Sequence, residues 1–400
     1  MKLIGIITFT CICTQISGQV TIGSDTPPVQ GALLELSEGS VTTKGLGMPR
    51  VILTDLTNIG TDIPAAAGQA TLHMGMTVYN INEDLCAFNP IYKGLYVWDG
   101  NKWQKLGSEG GNYLKYTDQD GNAFRARSFG NAGIWMTENL KVTTFAATAN
   151  GAQPVLNGAS STSMAYYSYP NTVITEPTSP NHEGLLYNWM AATNYYVPTQ
   201  GSINQGQVSS TIPGNLEVET IGPNGPGSDG YFYVQGICPT GWHIPSDREW
   251  NELEAEIYTY ATKYSTYTVA AGNFPFTPAS WQSSWESVTP TASGAIRGAT
   301  GSSGHGLAMM SQCPPSGANG GMSLPSAQGG FDVLPVGYVL ASVADSYGYI
   351  SYLWSSSYYD NGSGNTYNGI ARALYTSTPT VRKIAMGRNT MNSVRCKKND

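Results

Sequence analysis

The stretch GICPTGWHIPSDREW, residues 236–250, constrains the fold more than any other part of the chain. Pro239 and Pro245 fix φ at two turns, and Ser246 followed three residues later by Glu249 is a capping box that opens a helix. Asp247 and Glu249 suit the positive end of that helix's dipole. Downstream, Trp250, Leu253, Ile257, Ala261 and Tyr264 recur at the helical period. The segment therefore reads as a strand-to-helix junction whose Trp242, Ile244 and Trp250 pack a core. His243 stands in the same stretch, and as a general base it would need a carboxylate partner, for which Asp247 is the nearest candidate.

What surrounds the junction is loop-rich and β-leaning. Of 400 residues only 12% are charged, while 47 are glycine and 25 tyrosine, a balance that suits an extracellular protein. Residues 1–18, MKLIGIITFTCICTQISG, carry one lysine before an apolar run too short to span a bilayer, the pattern of a secretory signal with mature chain beginning near Gln19. A lipoprotein start at Cys11 or Cys13 fits less well, because Thr10 or Ile12 precedes the cysteine where a small residue is wanted. No other segment is expected to cross a membrane. The formal net charge of −7 becomes −8 once Lys2 leaves, with no long block of one sign, which argues against nucleic acid or anionic lipid as partner.

Four cysteines remain after the signal, Cys86, Cys238, Cys313 and Cys396. An even count in an exported protein favours disulfides, and four cysteines allow three pairings between which spacing does not choose. None are close enough for a CxxC zinc knuckle.

Residues 19–109 read as a small β-rich module. GMTVYNI and GLYVWDGNKWQKL are short β-forming runs, the second broken by the hairpin signal Asp99-Gly100-Asn101. GSEGGN, residues 107–112, looks like a linker. A second module, residues 113–400, opens with a hairpin pattern turning at Asp120-Gly121-Asn122. It holds two helical patterns, HEGLLYNWMAATN with Leu186, Trp189 and Met190 on one face, and the helix after Ser246. Two long segments rich in Gly, Ser, Pro and Asn, 198–230 and 293–330, read as loops, the second containing Cys313.

The ordered motifs DQDGNAF, WMTENLKVTTF, HEGLLYNWMAATN, GICPTGWHIPSDREWNELE, GGFDVLPVGYV, YLWSSSYYD and SVRCKKND resemble the Fibrobacter succinogenes major paralogous domain of exported bacterial proteins, from about Tyr113 to the C-terminus. WHIPSDREW also resembles the helix start of formylglycine-generating-enzyme-like domains, relatives of the C-type lectin fold. The resemblance implies an α+β fold: a C-type-lectin-like domain with a twisted antiparallel sheet, two helices and long loops at one pole, after the small β-rich N-terminal module. Its last strand, residues 393–397, would return to the hairpin near Tyr113. GALLELSEGSVTTKGLGMPRVILTDLTN in the first module resembles a mount found at the front of surface and phage tail-fibre proteins. Cys238 and Cys396 fall in the domain motifs, whereas Cys86 and Cys313 do not, so the resemblance implies a Cys238–Cys396 disulfide.

Catalysis and cofactors are not expected. His73, His182, His243 and His305 are scattered, and no HExxH, GxSxG, GxGxxG or Walker pattern occurs. The copper chemistry of formylglycine-generating enzymes needs paired cysteines where this chain has only Cys396. TDQDGN and YYDNGSGN depart from the calcium-loop pattern, leaving Asp360, Asn361 and Asn365 as a weak calcium candidate and no metal as the expectation. Residues 342–369 are built largely of Tyr, Ser, Gly and Asn, the composition of adaptable recognition surfaces. The expected ligand site is therefore Tyr347, Tyr349, Tyr358, Tyr359, Asp360, Asn361, Asn365 and Tyr367, facing outward, while Trp354 packs inward. Two readings stay open: a secreted or cell-surface adhesin that recognises a glycan or protein, and a structural subunit of an appendage or envelope layer.

Overall fold

A computed structural model describes residues 20–23, 25, 28–38, 43–87, 90–107, 113–146, 150–176, 183–195, 234–267, 281–286, 288, 290, 294–298, 304–315, 320–360 and 367–399. The expected signal, most of the 107–112 linker, His182, the 198–230 segment, Asn361 and Asn365 lie outside the described residues.

The N-terminal module contains a four-stranded sheet in the order Arg50–Val51, Thr77–Asn80, Gly94–Trp98, Trp103–Lys105. Asp99 caps the hairpin between the last two strands by accepting from the backbone N–H groups of Asn101 and Lys102. One face of the sheet carries Val78, Tyr96, Trp98 and Trp103, which with Leu53, Ile59 and Ala66 form a core of the module's own. Before it, Val20–Ile22 and Leu34–Leu36 pair in parallel as an isolated two-stranded ribbon.

The second module is built on two sheets. The five-stranded sheet has the order Trp242–His243, Lys397–Lys398, Ile134–Met136, Ala123–Ser128, Leu114–Thr117. The eight-stranded sheet runs Val155–Leu156, Tyr166–Ser168, Leu186–Tyr187, Asn392–Ser393, Ile350–Asp360, Tyr367–Tyr375, Thr378–Met386, Ala295–Arg297. The chain is thus α+β. Its terminal segment joins both sheets: Ser393 pairs with Leu186 and Leu353, and four residues later Lys397 pairs with His243 and Trp135. The expected single return strand is therefore two short ones, and the second lies between Trp242–His243 and Ile134–Met136 rather than against the opening hairpin.

Two further expectations change. In HEGLLYNWMAATN the helix is only Trp189–Thr193, because Asn188 caps it by accepting from Ala191 N–H while Leu186–Tyr187 is drawn into the sheet. The 293–330 segment has structure of its own, the strand Ala295–Arg297 and the short helix Gly306–Met309. The helix after Ser246 runs Asp247–Thr259 and carries the expected capping box, Ser246 accepting from Glu249 N–H and Glu249 from Ser246 N–H.

Two disulfides are present. Cys238–Cys396 lies at zero exposure within the second module, and Cys86–Cys313, exposed at Cys86, joins the two modules.

Candidate functional site

The helix Asp247–Thr259 has an apolar stripe, Trp250, Leu253 and Ile257, and beside it a polar one, Asp247, Asn251 and Glu254, at helical spacing. Both are buried. The polar stripe meets three cations brought by the eight-stranded sheet. Arg372 and Lys383 are direct cross-strand partners, two like charges side by side, and Asp247 bridges them, one carboxylate oxygen accepting from each. Glu254 accepts from Arg372 Nε with one oxygen, and with the other from Arg297 Nε at 3.1 Å; His305 Nε2 lies 3.0 Å from that same oxygen. Asn251 Oδ1 accepts from Arg297 and from Arg372 at 3.0 Å.

Burial alone would raise the Asp247 and Glu254 pKa values. Lys383 and Arg372 around the one, and Arg297, Arg372 and His305 around the other, outweigh it and hold both carboxyls below their ordinary values. For Lys383 burial wins, and its pKa is lowered.

His243 belongs to a second buried group. Its Nε2 lies 2.9 Å from Glu249, its Nδ1 2.7 Å from Asn399 Oδ1, and Lys397 Nζ donates to Glu249 at 2.8 Å. Burial pushes the Glu249 carboxyl up, but His243 and Lys397 bring it well below the usual range. The carboxylate partner of His243 is thus Glu249 rather than Asp247, because an N3 side chain reaches back over the helix start where the Trp242–His243 strand ends. His243, Asp247 and Glu254 all have zero exposure. In this conformation the two groups pin a helix to two sheets, and no solute reaches them.

The expected tyrosine site is spread along a long hairpin. Tyr347 and Tyr349 precede the strand Ile350–Asp360, whereas Tyr358, Tyr359 and Asp360 end it, about 30 Å away at the usual strand rise. Tyr349 is 63% exposed, while Tyr347 is half-buried with its hydroxyl donating to Glu183. Tyr358 is 2% exposed and belongs to the core with Trp354 and Trp189. Tyr359 is half-buried, and Asp360 is paired in register with Tyr367 at the hairpin's end. The structure thus brings Tyr347 and Tyr349 together and separates them from the rest.

Just before Tyr349 in the chain lies a surface that sequence reading missed. The hairpin Tyr338–Leu340 and Val343–Asp345 turns through Ala341 and Ser342 at φ 51° and 65°, positive at both central positions as a type I′ turn requires. Asn171, Val173 and Ser346 are also at positive φ, a costly backbone region for a β-branched residue such as Val173. Gly158 lets these two segments meet: a Cβ there would fall 2.3 Å from Val173 Cγ1 and 3.0 Å from Ser342 Cα. Leu340 and Val343, paired across the turn, and Ile174, next to Val173, are exposed here; Tyr349, also exposed, follows the base of the same hairpin. Nothing in composition marks positive φ at valine or alanine.

A small cleft of about 120 Å³ opens where the Cys86–Cys313 bridge joins the modules, lined by Leu85, Pro90, Arg125, Glu138, Asp332 and Arg395 among others. Its charged side chains have hydrogen-bond partners within the protein. Glu138 accepts from Arg125, and Arg395 donates to the backbone carbonyls of Phe331 and Asp332 and, at 2.9 Å, to Asn139. Burial lowers the Arg395 pKa to about 10. Among the described residues no group of three or more His, Cys, Asp or Glu is placed to hold a metal ion.

Fold and site define an α+β protein of two disulfide-joined modules with two ionic groups buried around its main helix. The chain belongs to the Fibrobacter succinogenes major domain family, which matches residues 130–398. Residues 21–121 match the phage tail like trimerisation region. That match runs through the strand Leu114–Thr117, which pairs within the second module's sheet. No curated protein and no solved structure matches the chain. With the two disulfides, the matches point to a surface-associated protein, and among the described residues no helix is long and apolar enough to cross a membrane.

Proposed function

We propose that this is an exported recognition protein without catalytic activity, in which the N-terminal module is a mount and the second module a C-type-lectin-like head that binds a glycan or protein outside the cell. The exposed turn at Leu340 and Val343, with Tyr349 following the same hairpin, carries the reading. It is exposed and apolar, and its backbone is held in a strained conformation by packing at Gly158, the combination expected of a preformed contact surface. The C-terminal segment's return to the sheet that opens the head supports the lectin-like part, and burial of His243 and Asp247 supports the absence of catalysis.

The test is retention of the full mature chain on arrays of glycans and extracellular proteins, compared with a Val343→Ser, Tyr349→Ser double variant. Both positions are exposed, so the variant should melt as the native protein does and lose at least about tenfold in affinity, as aromatic anchors commonly do on truncation. Unchanged retention would place the site elsewhere. The competing reading, a structural subunit, is favoured by the exposed apolar side chains of the first module. It predicts no retention on any array.

A further inference from the structure

Pro90 and Arg125 line both the small cleft at the Cys86–Cys313 bridge and a second cavity of about 280 Å³, which lies between the first module's last hairpin and the head. Tyr92, Tyr96 and Trp103 make the aromatic part of its wall. The Tyr96 hydroxyl is engaged, accepting from Tyr92 N–H at 3.1 Å. Trp103 is 3% exposed, and its indole N–H finds no acceptor among the described residues. A buried donor without an acceptor carries a cost that a ligand oxygen removes.

The charged part of the wall has one sign. Lys102 and Lys105 come from the hairpin and Arg125 from the head, and no acidic residue lines the cavity, in a chain whose 27 Asp and Glu outnumber its 20 Lys and Arg. Two carboxylates close by are turned to other work. Asp99 holds the hairpin turn, accepting from the N–H groups of Asn101 and Lys102 and from the Gln104 amide. Glu138, which accepts from Arg125, lines the bridge cleft and not this cavity. Lys105 pairs in register with Tyr96, and its stem lies along Gly94, where a Cβ would come 3.4 Å from Lys105 Cε. A cavity walled by cations concentrates anions.

We infer that this cavity is a second binding site, apart from the turn at Leu340 and Val343, and that it takes a carboxylate-bearing sugar unit such as a uronic acid residue of an extracellular polysaccharide. The cations meet the carboxylate, the Trp103 N–H donates to a ring or hydroxyl oxygen, and the aromatic wall suits the C–H patches of a pyranose. The volume lies just below the about 300–1,000 Å³ usual for ligand pockets, which limits the guest to a single ring. The choice of a sugar as bearer of the carboxylate rests on the recognition reading; the preference for an anion comes from the lining alone.

Isothermal titration of the mature full chain with methyl glucuronide, its methyl ester, methyl glucoside and inorganic phosphate tests it. The glucuronide should bind at one site, and the ester and glucoside at least about tenfold more weakly, because both keep the ring and lose the charge. Phosphate should also bind more weakly, having charge but no ring. Lys102→Met with Lys105→Met keeps both stems, so it should melt as the native protein does and lose at least about tenfold in glucuronide affinity. Lys102→Met alone, at an exposed position, should show a smaller loss in a chain whose folding it does not touch. Equal binding of acid and ester would overturn the charge argument, and phosphate binding as tightly as the glucuronide would overturn the sugar. No binding by the native chain, or unchanged affinity in the folded lysine variants, would sink the site. Retention of the Val343→Ser, Tyr349→Ser variant on arrays is read separately, so the two sites stand or fail independently.

Discussion

Arg372 touches Asp247, Asn251 and Glu254 at once, all at or near zero exposure, and so closes the largest polar group in the head. Removing one partner of a buried ion pair leaves uncompensated charge in a medium that solvates it poorly. Arg372→Met should therefore cost about 3–5 kcal/mol, read as a lowered urea midpoint. A loss under about 1 kcal/mol would mean that the carboxylates find other partners. The same chemistry fixes the response to acid. Asp247, Glu249 and Glu254 have folded pKa values below their ordinary ones, so the stability they contribute is complete above the unfolded values and is lost as pH falls towards the folded ones. The melting temperature should hold from neutrality to about pH 5 and drop steeply below about pH 4. Glu249→Gln should start lower and fall less. A flat profile down to about pH 3 would contradict the network's ionised state.

Elements differ in how local their causes are, and this decides what the sequence disclosed. The start of Asp247–Thr259 was legible because a capping box is complete within four residues. Ser246→Ala should cost about 1 kcal/mol in a chemical melt; a neutral substitution would show that Glu249, His243 and Lys397 hold the helix start without it. The partner of His243 was not legible, since Asp247 is the nearer carboxylate in sequence and only the back-reaching geometry of an N3 side chain selects Glu249. Leu186 looked helical by periodicity, but its pairing with Ser393, some two hundred residues away, made it a strand. Arg297 and His305 were hidden in a Gly and Ser-rich run that reads as loop, although both reach Glu254. In the tyrosine-rich segment composition was visible and facing was not: Tyr358 turns into the core while Tyr349, near the far end of the same strand, faces water.

At the scale of the whole molecule, the first module has a core of its own around Trp98 and Trp103, and the second has separate cores around Trp189 and Trp250. The two bridges therefore act on different things. Cys238–Cys396 closes a 158-residue loop inside one cooperative unit, and in the chain-entropy model it stabilises that unit by about 5 kcal/mol. Cys86–Cys313 ties one unit to another. Opening it should change how the modules are coupled more than how firmly either is folded. Cys86 is exposed whereas Cys238 and Cys396 are not, so mild reductant followed by alkylation and mass mapping should label Cys86 and Cys313 first. In calorimetry, Cys86→Ser with Cys313→Ser should uncouple the modules into two transitions and leave the head's own melting within about 2 °C of native. Cys238→Ala with Cys396→Ala should lower it by at least about 10 °C, at roughly 2–4 °C per kcal/mol for a unit of this size. If the Cys86 and Cys313 pair instead lowers the head's melting as much as the internal pair does, the modules fold as one unit and the separate cores are not separate in energy.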